Sequence, residues 1–161
     1  MKALVTGGGG FLGGAIVRLL LSKGAEVRNL SRGEHPELAA LGVENVKGSV
    51  ADPAAAAAAC EGRDTVFHAA AKVGMWGRYG DFYRDNAAGT ETLLAAAKAA
   101  GVKKFVFTST PSVVYPAGGA EVEGWNESAP YPEKSESPYA ATKALAERAV
   151  LAANDDSFST V

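Results

Sequence analysis

Short apolar runs alternate along this chain with stretches whose apolar residues recur every three to four positions, and glycine or proline stands at most of the junctions. Ala3-Leu4-Val5 reads as a strand that Gly7 to Gly10 breaks. Phe11 to Ser22 follows as a helix with Leu12, Ala15, Ile16, Leu19 and Leu20 on one face, and Gly24 stops it. Val27 to Leu30 is a second strand, Val43 to Val46 a weaker third, Thr65-Val66-Phe67 a fourth and Phe105-Val106-Phe107 a fifth. Helices fill the gaps. Asp52-Pro53 followed by six alanines is a capped helix start with Pro in the first turn, and Asn86 to Ala100 is an Ala/Leu-rich helix closed by Gly101. Pro111 to Pro138 hold most of the prolines without any period and are expected to form a long loop, a feature that is usually functional in a compact domain. Tyr139 to Ala153 is the last helix, and Phe158 to Val161 begins another strand. Apolar strands alternating with helices imply an α/β fold: a doubly wound parallel sheet covered on both faces, three layers α/β/α, with right-handed crossovers.

The chain has 161 residues, the size of one domain, so residues 1–161 are expected to share one core. A formal net charge of -2 without any Lys/Arg run argues against nucleic acid as a partner. Cys60 is the only cysteine, which excludes a disulfide framework, and without a Cys/His cluster there is no metal site to expect. The first residues are too few and too weakly apolar for a signal-peptide core or a membrane span, so the expectation is a cytoplasmic protein. On the same ground Asn126-Glu127-Ser128 is read as a chance match to the glycosylation triplet.

Gly7-x-x-Gly10-x-x-Gly13 falls between the first strand and the first helix, where backbone N–H groups at the positive helix end can cradle a dinucleotide pyrophosphate. Its context lifts a motif that alone often marks only a flexible turn. At the end of the second strand, where NAD binders usually carry an acidic residue for the ribose hydroxyls, stand Ser31 and Arg32. A planar cation there suits a 2′-phosphate, so NADP (NADPH) is expected over NAD, against the plainer reading of Arg32 as a solvated side chain.

Tyr139 and Lys143 are four apart in Tyr139-Ala140-Ala141-Thr142-Lys143, hence on one helix face. A phenol with a pKa of about 10 is a poor acid–base group at neutral pH. An ammonium about 4 Å away, at an effective dielectric of about 20, stabilises the phenolate by roughly 4 kcal/mol before screening. Thr108-Ser109-Thr110 ends the fifth strand at the carboxyl edge of the sheet, where a hydroxyl can donate to a substrate carbonyl; strand-end capping is the competing reading.

With these residues assembled, the chain resembles the extended short-chain dehydrogenase/reductase family, the family that also holds NAD-dependent epimerases and dehydratases. The match rests on Thr6-Gly7-Gly8-Gly9-Gly10-Phe11-Leu12-Gly13, His68-Ala69-Ala70-Ala71, Asn86-Ala87-Ala88-Gly89-Thr90 and Tyr139-x-x-x-Lys143. The runs Thr108 to Val114 and Ala71 to Gly77 look most like the 3β-hydroxysteroid dehydrogenase branch. The resemblance implies a Rossmann-type fold and an NADPH-dependent oxidoreductase acting on a small-molecule carbonyl, a β-keto acid or hydroxysteroid-like substrate. It implies that Gly7, Gly10, Phe11, Leu12, Gly13, Ser31, Arg32, Val50, Ala69, Ala70 and Ala71 hold the nucleotide. Tyr139 would be the general acid, and Lys143 would lower its pKa and hold the nicotinamide ribose. Thr110 would orient the carbonyl, with Ser109 as the alternative.

Asn86 would fill a structural or proton-relay position, its other reading being a helix N-cap. Ser49 stands where the family commonly has an Asp facing adenine. Family members are longer, so the chain is expected to be an N-terminal half lacking most of the substrate pocket. A homodimer through helices 86–100 and 139–153 is expected by the same likeness. Two alternatives stay open: a non-catalytic NADP-binding fragment or sensor, and a sugar-nucleotide epimerase or dehydratase. His68 is read as the end of a buried strand and His35 as loop. Trp76 and Trp125 either border an acyl or sterol chain or pack back on the core.

Overall fold

The computed structural model describes residues 1–118 and 123–161. Six strands form one parallel sheet: β1 (Lys2–Thr6), β2 (Glu26–Ser31), β3 (Glu44–Lys47), β4 (Thr65–His68), β5 (Lys104–Phe107) and β6 (Ser159–Thr160). Their order is β3-β2-β1-β4-β5-β6, so the chain reverses its direction of winding between β1 and β4. Ligands of doubly wound sheets bind at such a switch point, beyond the carboxyl ends of the strands.

Both faces of the sheet are covered, and the alternation along β1 shows it. Leu4 joins Leu30, Val66, Leu93, Phe105 and Phe158 in one core, while Ala3 and Val5 join Val17, Leu20, Val27 and Leu38 in the other. The first core lies under α3 (Pro53–Cys60), α5 (Gly89–Ala99) and α6 (Pro138–Ala152); the second lies under α1 (Phe11–Ser22) and α2 (Pro36–Ala39). Local chemistry starts the helices where the sequence indicates. The Asp52 carboxylate accepts from Ala54 N at 2.9 Å, and Ser137 accepts from Ala140 N at 3.2 Å ahead of Pro138. Among the described residues no helix is long and apolar enough to cross a membrane.

Two expectations need correction. Helix α1 does not bury Leu12, Ala15 and Leu19; it turns Gly13, Gly14, Val17 and Leu20 inward. The glycine face wins because only it permits the backbone to approach the first strand end. Asn86 is not an N-cap. The helix begins earlier, at α4 (Tyr79–Phe82), and runs through a π-helical segment (Tyr83–Ala88) into α5, with Asn86 buried in that segment. The loop expected after β5 contains a 3₁₀ turn at Pro111–Val113, and Pro116 bridges to Ser135. Residues 119–122 of that loop lie outside the described residues.

Candidate functional site

The turn after β1 is held by its neighbours on both sides. Gly7 adopts φ +72°, its N–H bonds Leu30 O at 3.1 Å, and Gly10 N closes the turn on Gly7 O at 2.9 Å. Gly8 N donates to Asn29 Oδ1 at 2.9 Å, and Asn29 in turn donates to Asn45 Oδ1 at 2.9 Å, so a buried amide pins the turn to β2 and β3. A Cβ on Gly13 would lie 2.2 Å from Gly7 O, which explains why α1 can sit so close to the strand end. Gly10 caps α1 without any side-chain acceptor, and no acidic residue occupies the first turn. The first-turn N–H groups therefore have no internal anion to satisfy them, which fits the binding of a pyrophosphate.

This turn forms one wall of a cleft of about 450 Å³. Gly7, Gly10, Phe11, Leu12 and Gly13 line it from the turn, Ser31 and Arg32 from the end of β2, Val50 from beyond β3, and Ala69, Ala70 and Ala71 from beyond β4. Phe11 is 97% exposed at its rim, so its ring is available to a ligand rather than to the core. The Ser31 hydroxyl donates to Gly33 O at 3.0 Å, and Ser49 Oγ accepts from Ala51 N at 3.2 Å. Several further lining residues were not found from the sequence, His35 and Asp85 among them. His35 lays its ring over Gly9 and pairs with Glu37 at 3.0 Å; Asp85 reaches Arg32 at 3.3 Å and Arg84 at 2.8 Å. The only signal for Asp85 was its place next to Asn86.

Behind the cleft runs a chain of buried polar groups. Ala70 N donates to Thr6 Oγ1 at 3.1 Å, Thr6 Oγ1 meets His68 Nδ1 at 2.7 Å, and His68 Nε2 meets Thr90 Oγ1 at 2.9 Å. Thr90 gives its own proton to Asn86 O at 2.6 Å, so it must accept from His68; the bonds assign the imidazole proton to Nε2. Burial and the nearby Lys143 charge push the His68 pKa down to about 3, keeping the ring neutral. The Asn86 side chain clamps the Lys72 peptide, accepting from its N–H at 2.7 Å and donating to its O at 3.0 Å, and also donates to Thr142 Oγ1 at 3.1 Å. Thr142 closes on Pro138 O at 2.8 Å. The end of β1 is thereby tied to the first turn of α6, which carries Tyr139.

Lys143 is 3% exposed, and its Nζ donates to Thr108 O at 2.6 Å and lies 3.8 Å from the Phe107 ring centre. Burial pushes its pKa down to about 8, with Glu147 working the other way. Tyr139 is half-buried one turn away on α6, and the Lys143 ammonium donates to the Thr108 carbonyl just beyond β5. Thr110 caps the 3₁₀ turn, its hydroxyl bonding Ser112 Oγ at 3.3 Å, whereas Ser109 Oγ is buried with no hydrogen-bond partner among the described residues. Thr110, Tyr139 and Lys143 stand outside the cleft lined by the glycine turn.

The sequence model of the 3-beta hydroxysteroid dehydrogenase/isomerase family matches residues 4–161. A 2-alkyl-3-oxoalkanoate reductase of Stenotrophomonas maltophilia is 49% identical over 162 residues, covering 100% of this chain and 49% of that protein. A 3 beta-hydroxysteroid dehydrogenase/Delta 5-->4-isomerase of Mycobacterium tuberculosis is 41% identical, covering 95% of this chain and 43% of that one. Among solved structures, a dTDP-glucose 4,6-dehydratase of Streptomyces venezuelae with NAD bound is similar at a TM-score of 0.82 and 33% identity, covering 94% of this chain and 51% of that one. The chain spans about half the length of the curated relatives it matches.

Proposed function

The chain belongs to the 3-beta hydroxysteroid dehydrogenase/isomerase family, and from that premise we propose that it is the nucleotide-binding part of an NADPH-dependent carbonyl reductase. The observation that carries this reading is the single cleft in which the glycine turn, the ends of β2 and β4 and the segment after β3 meet. Gly10, Phe11, Leu12 and Gly13 would hold the pyrophosphate at the α1 N-terminus, Ala69 to Ala71 and Val50 the adenosine side, and Ser31 and Arg32 the 2′-phosphate. When bound, the dinucleotide supplies a hydride.

This chain's own residues supply the proton and its control. Tyr139 Oη gives its proton to the carbonyl oxygen of the substrate, and the Thr110 hydroxyl orients that oxygen by donating to it. Lys143, with its pKa held near 8, remains mostly protonated at neutral pH and would supply a positive charge one helical turn from Tyr139. The substrate class that suits the relatives is a β-keto acid or a hydroxysteroid-like alcohol–ketone couple. A sugar-nucleotide epimerase or dehydratase shares the fold, but Ser31-Arg32 in place of an acidic residue favours the NADPH-linked reductase. The exposed Leu145 and Leu151 of α6 support a second copy packing against the α5–α6 side.

The test is Tyr139→Phe in the chain with its natural continuation, assayed for turnover and for nucleotide binding. The expected result is loss of turnover by about 10²-fold or more with nucleotide binding retained. Equal turnover in the variant would remove Tyr139 from the reaction.

A further inference from the structure

We infer that Asp85 is a specificity-determining residue: its fixed carboxylate holds the Arg32 guanidinium in an ion pair at the cleft rim and thereby weakens the discrimination between a 2′-phosphate and a 2′-hydroxyl. The inference rests on the nucleotide reading of the cleft and deepens it.

The two partners are unequal. The Asp85 side chain is 12% exposed and is gripped from its other oxygen by Arg84 Nε at 2.8 Å, while the Arg32 side chain is 71% exposed and, among the described residues, forms one ion pair, to Asp85 Oδ2 at 3.3 Å. The anion is therefore the anchor and the cation the mobile partner. Both line the cleft beside Ser31 and Gly33. Of the other charged side chains, Lys47 and Glu34 pair with each other at 2.8 Å, and Lys72, which also lines the cleft, lies with its Nζ 5.3 Å from the Phe82 ring centre.

A ligand phosphate arriving at Ser31-Arg32 meets a cation already neutralised and a carboxylate of its own sign close behind it. To recruit Arg32 it must draw the guanidinium off Asp85, leaving that largely buried carboxylate to Arg84 alone. A ribose hydroxyl faces neither cost, since it can donate to Asp85 or Ser31 and needs no cation. Without the Asp85 charge, Arg32 would answer to the phosphate only.

The experiment is a fluorescence titration of the 161-residue chain with NADPH and with NADH at low salt, in wild type, Asp85→Asn, Arg32→Ser and the double variant. Asp85→Asn is expected to raise the NADPH-over-NADH preference about fivefold, the size of one partly exposed charge pair, mostly through tighter NADPH binding. The Arg32→Ser/Asp85→Asn double variant is expected to differ from Arg32→Ser by less than Asp85→Asn differs from wild type, because without the cation only the direct repulsion between carboxylate and phosphate is relieved. Arg84→Gln, a substitution at a largely exposed side chain, leaves Asp85 bound to Arg32 alone and is expected to move the preference the opposite way. A preference that stays level or falls in Asp85→Asn overturns the inference while leaving the nucleotide site intact. Failure of the wild-type chain to bind either nucleotide overturns the site reading and the inference together.

Discussion

Lowering the pH from 7.5 to 5.0 loads a proton onto His68 in the unfolded chain that the folded chain refuses. In the folded state both ring nitrogens are engaged, at 2.7 Å by Thr6 Oγ1 and at 2.9 Å by Thr90 Oγ1, and the ring has 1% exposure. Its pKa falls from 6.5 to about 3. A histidine with a depressed folded pKa contributes stability that is complete above the unfolded pKa and is lost as pH falls below it. Between these two pKa values each pH unit costs about 1.4 kcal/mol, so the step to pH 5.0 costs about 2 kcal/mol. That is a large part of the roughly 5–15 kcal/mol expected for a domain. Urea denaturation at a series of pH values between 7.5 and 5.0 measures it, with His68→Asn as the comparison. The variant starts weaker, having lost the Thr6 and Thr90 bonds, but its stability should be flatter with pH over this window, because the carboxylates titrate mostly lower. Equal slopes in wild type and His68→Asn would refute the reasoning, and so would an NMR titration showing the His68 ring charged in the folded protein at pH 5.0.

Lys143 predicts the alkaline limb: with its pKa lowered from 10.5 to about 8, the unfolded chain binds the extra proton, so its contribution to stability should rise by about 2 kcal/mol from pH 7.5 to 9.5, against a fall of about 1 kcal/mol from the buried Cys60 thiol, pushed up to about 11. Lys143→Met should abolish that rise in the same urea series. Gly13→Ala, whose Cβ would meet Gly7 O at 2.2 Å, should lower Tm by several degrees and weaken nucleotide binding at least tenfold, read by calorimetry and titration. Asp52→Ala should cost about 1 kcal/mol of stability through the lost α3 cap without changing nucleotide affinity.

What the sequence made legible was local. Strands β1, β2, β4 and β5 announce themselves as apolar blocks, and the glycine turn, the Asp52 cap and the last helix carry their signals within a few residues. The buried face of α1 was misread because the residues that touch the sheet there are glycines, which carry no hydrophobic signal; the leucines counted instead, Leu12 and Leu19, face outward. The N-cap reading of Asn86 fails for a related reason, while its reading as a structural position fits the clamp it makes on the Lys72 peptide. Asparagine is a common cap, and nothing nearby in sequence reveals that its partners are the Lys72 peptide, 14 residues away, and Thr142, 56 residues away. Asp85 and Arg32 are separated by 53 residues, so their pairing belongs to the sheet order and to no motif. Ser31 and Arg32, expected from their place at the end of the second strand, and the alanines after His68, expected from the family resemblance, line one cleft because strand ends on one edge of a parallel sheet converge.

The central claim is that the cleft at the switch between β1 and β4 holds a dinucleotide carrying a 2′-phosphate. Titrating the chain with NADPH and with NADH tests it most directly. Tighter binding of NADPH, with the margin removed in Arg32→Ser, is the result this account predicts. Equal or tighter binding of NADH, unmoved by Arg32→Ser, would contradict it.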